Sequence, residues 1–217
     1  MVHLLLEQVT PEDLVEMVVQ VVVPEEIKVQ VLVVQVIFVQ LVHLKVIMVV
    51  SQSRSFGGDL IFNVRGGGIY YWDETNGTAT RGVALVDRPE AVGAPLLSLQ
   101  TMVSETDRHT ICFGCNPLGS TTLDPLLVRF SDQENPFDWT PTSTNTSGGV
   151  TLTAGSFIVG AIKTRQEILI FTDSSIHSMR FSGSPFTFQF EVINEGLSMI
   201  SPNAATNAGD MVFGHGS

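Results

Sequence analysis

From Ser51 onward the apolar residues come in short runs broken by Gly, Asp, Asn and Ser, and within the runs they alternate. Ile168 and Ile170 are interleaved with Leu169 and Phe171, and Ile176, Ser178 and Arg180 keep the same two-residue step. That step is the period of a β-strand. Three segments echo one another: GDLIFNVRGGGIYYWDETNG from Gly58, QEILIFTDSSIHSMRFSGSP from Gln166, and GDMVFGHGS from Gly209. Each opens on a polar pair and continues as an apolar strand, and in the first two a turn of Gly, Asp or Ser leads into a second strand. A weaker copy starts near His109, with Asn116 to Asp124 as a longer loop. The pattern predicts antiparallel hairpins starting near residues 59, 109, 167 and 210. Repeats of this length, built from several short strands, are the signature of propeller blades, which must stack because one blade cannot bury both of its faces. The expected fold is all-β, with residues 51–217 forming an incomplete β-propeller-like domain of about three blades. No amphipathic helix is expected there.

Residues 1–50 follow different rules. They contain 18 valines and no glycine, whereas all 19 glycines of the chain lie between Gly57 and Gly216. Between Val29 and Val50, polar residues recur at Gln30, Gln35, Gln40 and Lys45. A five-residue period fits neither a helix stripe nor an alternating strand. The run is long enough to cross a bilayer, but its four polar side chains and His43 make that costly. Glu7, Glu12, Asp13 and Glu16 stand where a secretory signal needs basic residues. Apart from Pro and Thr, the segment uses amino acids whose codons carry U or A in the second position. It is therefore expected to be an out-of-frame reading of a Gly-rich five-residue repeat, or else a disordered Val/Gln-rich segment.

Charge narrows the function classes. The chain has 11 Lys+Arg against 22 Asp+Glu, a net charge of −11, and its basic residues are spread along the sequence. Such a surface repels a phosphate backbone, so no specific nucleic-acid binding is expected, nor a membrane partner. Cys112 and Cys115 form a lone C-x-x-C in HTICFGCNP. A zinc site needs about four ligands and no second cysteine pair exists, so both are expected to be buried strand thiols in a reduced state.

Other motifs give no stronger chemistry. Gly66–Gly68 lacks the Lys and Ser/Thr of a phosphate loop and precedes a strand, so it is expected to be a hairpin turn. Asp132, Glu134 and Asp138 flank Trp139 in RFSDQENPFDWTP, but the Asp-box turn of sialidase propellers needs glycine where Glu134 stands. Ser131, Ser174, Ser175, His177 and Asp173 do not form a nucleophile elbow. Asn76 and Asn145 open glycosylation sequons, which matter only in a secretory pathway. Trp72 and Trp139 are expected to be structural anchors, each ending a strand beside an aspartate that can accept its indole N–H. The sequence nominates no catalytic residue, no cofactor and no metal ligands.

At R-x-S-D-x-E-N-x-x-D-W-T-P (Arg129–Pro141), at SPNA (Ser201–Ala204) and at GGGIYYWD (Gly66–Asp73), the chain resembles virion structural proteins of tailed bacteriophages. The group is that of the packaged-DNA stabilisation, tail nozzle and head-completion proteins of short-tailed phages. The resemblance implies a propeller-like body without enzymatic activity, located in the virion near the head-to-tail connector or tail nozzle. It further implies that the protein helps to retain or conduct packaged DNA and assembles with itself or with portal and tail proteins. The alternative is a carbohydrate-binding or glycosidase-type propeller, the latter resting on paired carboxylates such as those of the acid-rich loop.

Overall fold

The computed structural model describes residues 58–214 except 105–106, 184–185, 203 and 209–210. The expectations made for residues 1–50 lie outside the described residues. Within them the chain is nearly all β-structure in antiparallel sheets, with single 3-10 turns at Glu74–Asn76 and Leu85–Asp87.

Four sheets follow one another along the chain. The first contains β1 (Leu60–Asn63), β2 (Ile69–Trp72) and the short β3 (Val83–Ala84). The second contains β4 (Ser98–Val103), β5 (Thr110–Cys115), β6 (Asp124–Phe130) and β7 (Gly148–Thr151). The third contains β8 (Ile158–Lys163), β9 (Ile168–Thr172), β10 (Ser175–Phe181) and β11 (Phe188–Glu195), and the fourth β12 (Ala205–Ala208) and β13 (Met211–Gly214). Each sheet is a meander, with strands side by side in sequence order.

The alternation seen in the sequence sorts side chains between two cores rather than between core and water. In β9, Ile168 and Ile170 join Ile111, Phe113, Val128, Phe130 and Met179 between the second and third sheets. Phe171 faces the other way, packing with Val159 and Met199, with Leu169, Ala205 and Val212 at the margin. The second sheet is covered on both faces too, since Cys112, Cys115 and Leu127 pack with Ile61, Ile69 and Tyr71 of the first. Strands covered on both faces need apolar residues at every position, which is why TICFGC is buried throughout.

Polar side chains tie neighbouring sheets at their first strands. The Gln100 amide in β4 donates to the Ala161 carbonyl at 2.9 Å and accepts from the Ala161 N–H at 2.8 Å, reproducing a ladder rung between β4 and β8. Asn63 donates to the Ser98 carbonyl at 2.9 Å, Arg65 to that of Val159 at 2.8 Å, and Asn207 to that of Lys163 at 2.9 Å. These bonds satisfy main-chain groups at sheet margins, which would otherwise be costly to bury.

The expected hairpins are present at Leu60–Trp72, Thr110–Phe130 and Ile168–Phe181, with residues 116–123 as the long loop. The glycine-rich turn closes through Gly67 N–H to the Val64 carbonyl at 2.7 Å, and Gly66 supplies the positive φ of 70°. The fourth repeat differs. Met211–Gly214, expected to open a hairpin, pairs back onto Ala205–Ala208 and is the second strand of one. β5 and β9 are likewise second strands, so the sequence repeat starts one strand into each of these three sheets.

Candidate functional site

The residues that the sequence singled out fall into three groups, and the loop between β6 and β7 holds the densest one. Asp132 accepts from the N–H and the hydroxyl of Thr146, at 2.8 and 2.7 Å. Asn135 accepts from Phe137 N–H at 3.0 Å. The Asp138 carboxylate accepts from Thr140 N–H at 3.2 Å and from the Asn145 amide at 3.0 Å. Ser131 accepts from Thr110 N–H at 3.0 Å and donates to the Asp132 carbonyl at 2.9 Å. Glu134, at the position where an Asp-box has glycine, adopts a left-handed φ of 58° and lies 3.7 Å from Arg108. Asp132, Asn135 and Asp138 are thus used to fold the loop itself, while Ser131 ties it to β5 and Glu134 stays exposed beside Arg108.

Arg129 and Trp139 anchor that loop to the sheet. Trp139 is fully buried, and its indole N–H donates to the Pro136 carbonyl at 2.8 Å. The expected acceptor, Asp138, is turned away to Thr140 and Asn145. Trp139 lies in the connection rather than at a strand end, and its main-chain N–H reaches the Val92 carbonyl at 2.9 Å. The buried Arg129 guanidinium donates to the carbonyls of Gly93, Trp139 and Asn116 at 2.7, 3.1 and 3.3 Å, 6.0 Å from the Trp139 ring centre. Burial lowers its pKa, and the carbonyl dipoles are what make a buried cation tolerable. Trp72 does end a strand, is half-buried, and donates to the Thr80 carbonyl at 3.1 Å.

The second group is the cysteine pair. Residues three apart on a regular strand point to opposite faces, yet Cys112 and Cys115 enter the same core. A bulge between Phe113 and Cys115 resets the alternation, and Gly114 occupies it with φ of 60°. Both thiols are free and fully buried. Burial pushes Cys112 up to about 11 and raises Cys115 as well, so the thiolate needed for redox or metal chemistry is disfavoured. Among the described residues, no group of three or more His, Cys, Asp or Glu side chains is placed to hold a metal ion.

The third group is a serine–histidine contact. Ser175 Oγ lies 3.0 Å from His177 Nε2, and both residues are buried. The same nitrogen sits 3.1 Å from the Ala154 carbonyl oxygen. A ring nitrogen facing a carbonyl has to be the protonated, donating one, so it cannot take the serine proton. Asp173 accepts from Ser156 N–H at 2.7 Å. The contact therefore fastens the β9–β10 turn to residue 154.

The structure also brings together residues that the sequence reading left apart. His109 is buried where the second and third sheets meet, its ring 5.1 Å from Phe188 and 5.8 Å from Phe181, with Phe130 at 6.2 Å. Its Nε2 reaches Thr146 Oγ1 at 3.1 Å, and since that hydroxyl donates to Asp132, His109 is the donor. Burial lowers the His109 pKa against the opposing pull of Asp107 and Asp132. Burial alone would raise Asp132, but the Thr146 bonds outweigh it and hold that carboxyl below its usual range. A general acid of a glycosidase needs the opposite shift.

No family model matches this chain, and no curated protein matches it. Among the described residues, no helix is long and apolar enough to cross a membrane.

Proposed function

We propose that the chain is a non-catalytic structural component of a tailed-phage virion, built on a propeller-like stack of antiparallel sheets and acting by assembly near the head-to-tail connector or tail nozzle. One observation carries this reading. In the motif that bears the resemblance, Arg129–Pro141, the side chains of Asp132, Asn135 and Asp138 bond within their own loop and Arg129 ties that loop to the carbonyls of Gly93 and Asn116, while successive sheets cover each other's faces. The surfaces left for partners are then loop ends and outer strands. In β11 every residue after Phe190 is exposed, and β7 is exposed over three of its four residues. Stacked sheets whose first strands touch in series, β4 on β8 and β8 on β12, are the arrangement expected of propeller blades. The net negative charge suits a part that DNA slides past without binding.

Mass spectrometry of purified particles tests the assignment. The expected result is the chain, or a longer protein that contains it, at a fixed copy number per particle. Its absence from particles, together with glycoside hydrolysis in a soluble host fraction, would replace this reading with the glycosidase alternative.

A further inference from the structure

An asparagine can lose its amide by chemistry that needs no enzyme. The main-chain nitrogen of the next residue, once deprotonated, attacks the side-chain Cγ; a new C–N bond closes a succinimide ring, the bond from Cγ to the amide nitrogen breaks, and ammonia leaves. Water then opens the ring at one carbonyl or the other, giving aspartate or isoaspartate. The attack needs a next residue that has an N–H and little bulk, which proline lacks and glycine offers best. The chain holds eight asparagines and one Asn–Gly pair, Asn76–Gly77. Asn116 and Asn135 precede proline, and the other five precede Val, Thr, Glu or Ala. Three of those five amides are also held in place. Asn63 donates to the Ser98 carbonyl at 2.9 Å, Asn145 to the Asp138 carboxylate and the Thr140 carbonyl at 3.0 and 2.8 Å, and Asn207 to the Lys163 carbonyl at 2.9 Å.

Asn76 closes the 3-10 turn Glu74–Asn76, which contains no buried residue. Gly77 follows with a φ of 74°, and a Cβ built on it would meet nothing within 4 Å, so the space in which the ring must close is open. One contact opposes the attack. While the turn is closed, the Gly77 N–H donates to the Glu74 carbonyl at 3.0 Å. The turn itself hangs on the Asp73 carboxylate, which accepts from the Thr75 N–H at 2.9 Å and from the Thr75 hydroxyl. A single exposed turn without a buried side chain opens far more readily than the strands that flank it.

We propose that Asn76 is a self-modifying site, converting to aspartate and isoaspartate at a rate set by the opening of the Glu74–Asn76 turn. Conversion puts a carboxylate at position 76 beside those of Asp73 and Glu74, and like charges so close loosen the turn further. The change falls on the connection that leads into β3 and whose Thr80 carbonyl receives the Trp72 indole N–H. Neither the virion reading nor its alternative bears on this chemistry, which belongs to the chain itself.

The test is to hold the full chain folded at mildly alkaline pH and to follow it by peptide mapping with mass spectrometry. Amide loss is expected first in the peptide that contains Asn76, as two products of equal mass that separate by chromatography. Asn145 and Asn194 should be unchanged over the same period, and Asn76→Gln should remove the signal. Asp73→Ala, which takes away the cap, should speed the conversion about fivefold, the shift in opening expected from a lost N-cap side chain. In denaturant, where no turn remains to open, the parent and Asp73→Ala should convert at a common and faster rate. Amide loss led by Asn145 or Asn194 would overturn the proposal. So would equal rates for the folded parent and folded Asp73→Ala, or a folded parent that converts as fast as the unfolded chain.

Discussion

Trp139 is the residue whose removal the fold can least absorb. Its ring is fully buried and its N–H is satisfied at Pro136. Trp139→Ala should cost about 3–5 kcal/mol in denaturant unfolding, whereas half-buried Trp72→Ala should cost clearly less. An equal loss at the two sites would contradict these environments. Trp139 was legible as an anchor from its setting among turn residues. Its acceptor was not, because which oxygen meets the indole depends on how Asp138 is drawn off by Asn145. His109 was hardly legible at all, since Thr146 and Phe188 reach it from distant stretches of chain. Because burial lowers its pKa in the fold, the folded state binds fewer protons than the unfolded chain, whose value is 6.5. The stability linked to His109 is therefore complete above that pH and declines as pH falls below it. Unfolding midpoints from pH 7.5 down to about 5 should drop for the parent, and the slope should shrink in His109→Gln. A slope identical in the two would place the proton uptake elsewhere.

At the scale of elements, β5 depends on one glycine. The bulge at Gly114 turns Cys115 into the core that holds Cys112, and a Cβ built there would lie 2.5 Å from Leu99 Cδ1 at a φ of 60°. Gly114→Ala combines that clash with left-handed strain, and a loss of about 2–3 kcal/mol is expected from the two together. The cysteines supply the readout: labelling by a thiol reagent at pH 8 should proceed only as fast as β5 opens, and faster in Gly114→Ala. Rapid labelling of the folded parent would mean that the pair is accessible after all. The hairpins were readable because each joins two apolar runs across Gly, Asp or Ser. The strands that precede them, β4, β8 and β12, were missed as members of the same sheets. SLQTMV and ATNA are too polar or too small to stand out, and what recruits them is contact with neighbouring sheets through side chains such as Gln100.

For the whole molecule, stability should grade from the interface between the second and third sheets outward. That interface buries Phe113, Ile170, Met179 and Phe130 together, whereas β7 and β11 each have a neighbour on one side only. The stack was foreseeable from repeated hairpins that cannot bury both faces alone, but the order of stability was not, because it depends on which faces meet. Amide hydrogen exchange reports this order, since local opening ranges from almost nothing at frayed edges to the full unfolding free energy in core strands. Amides of β5, β6, β9 and β10 should exchange last and together. Amides of β11 that point away from β10 should exchange early. Ile170→Ala, fully buried at this interface, should cost about 2–5 kcal/mol and speed exchange in β5 as well as in β9. Faster exchange confined to the third sheet would mean that the sheets open independently, contrary to a stack held by a shared core.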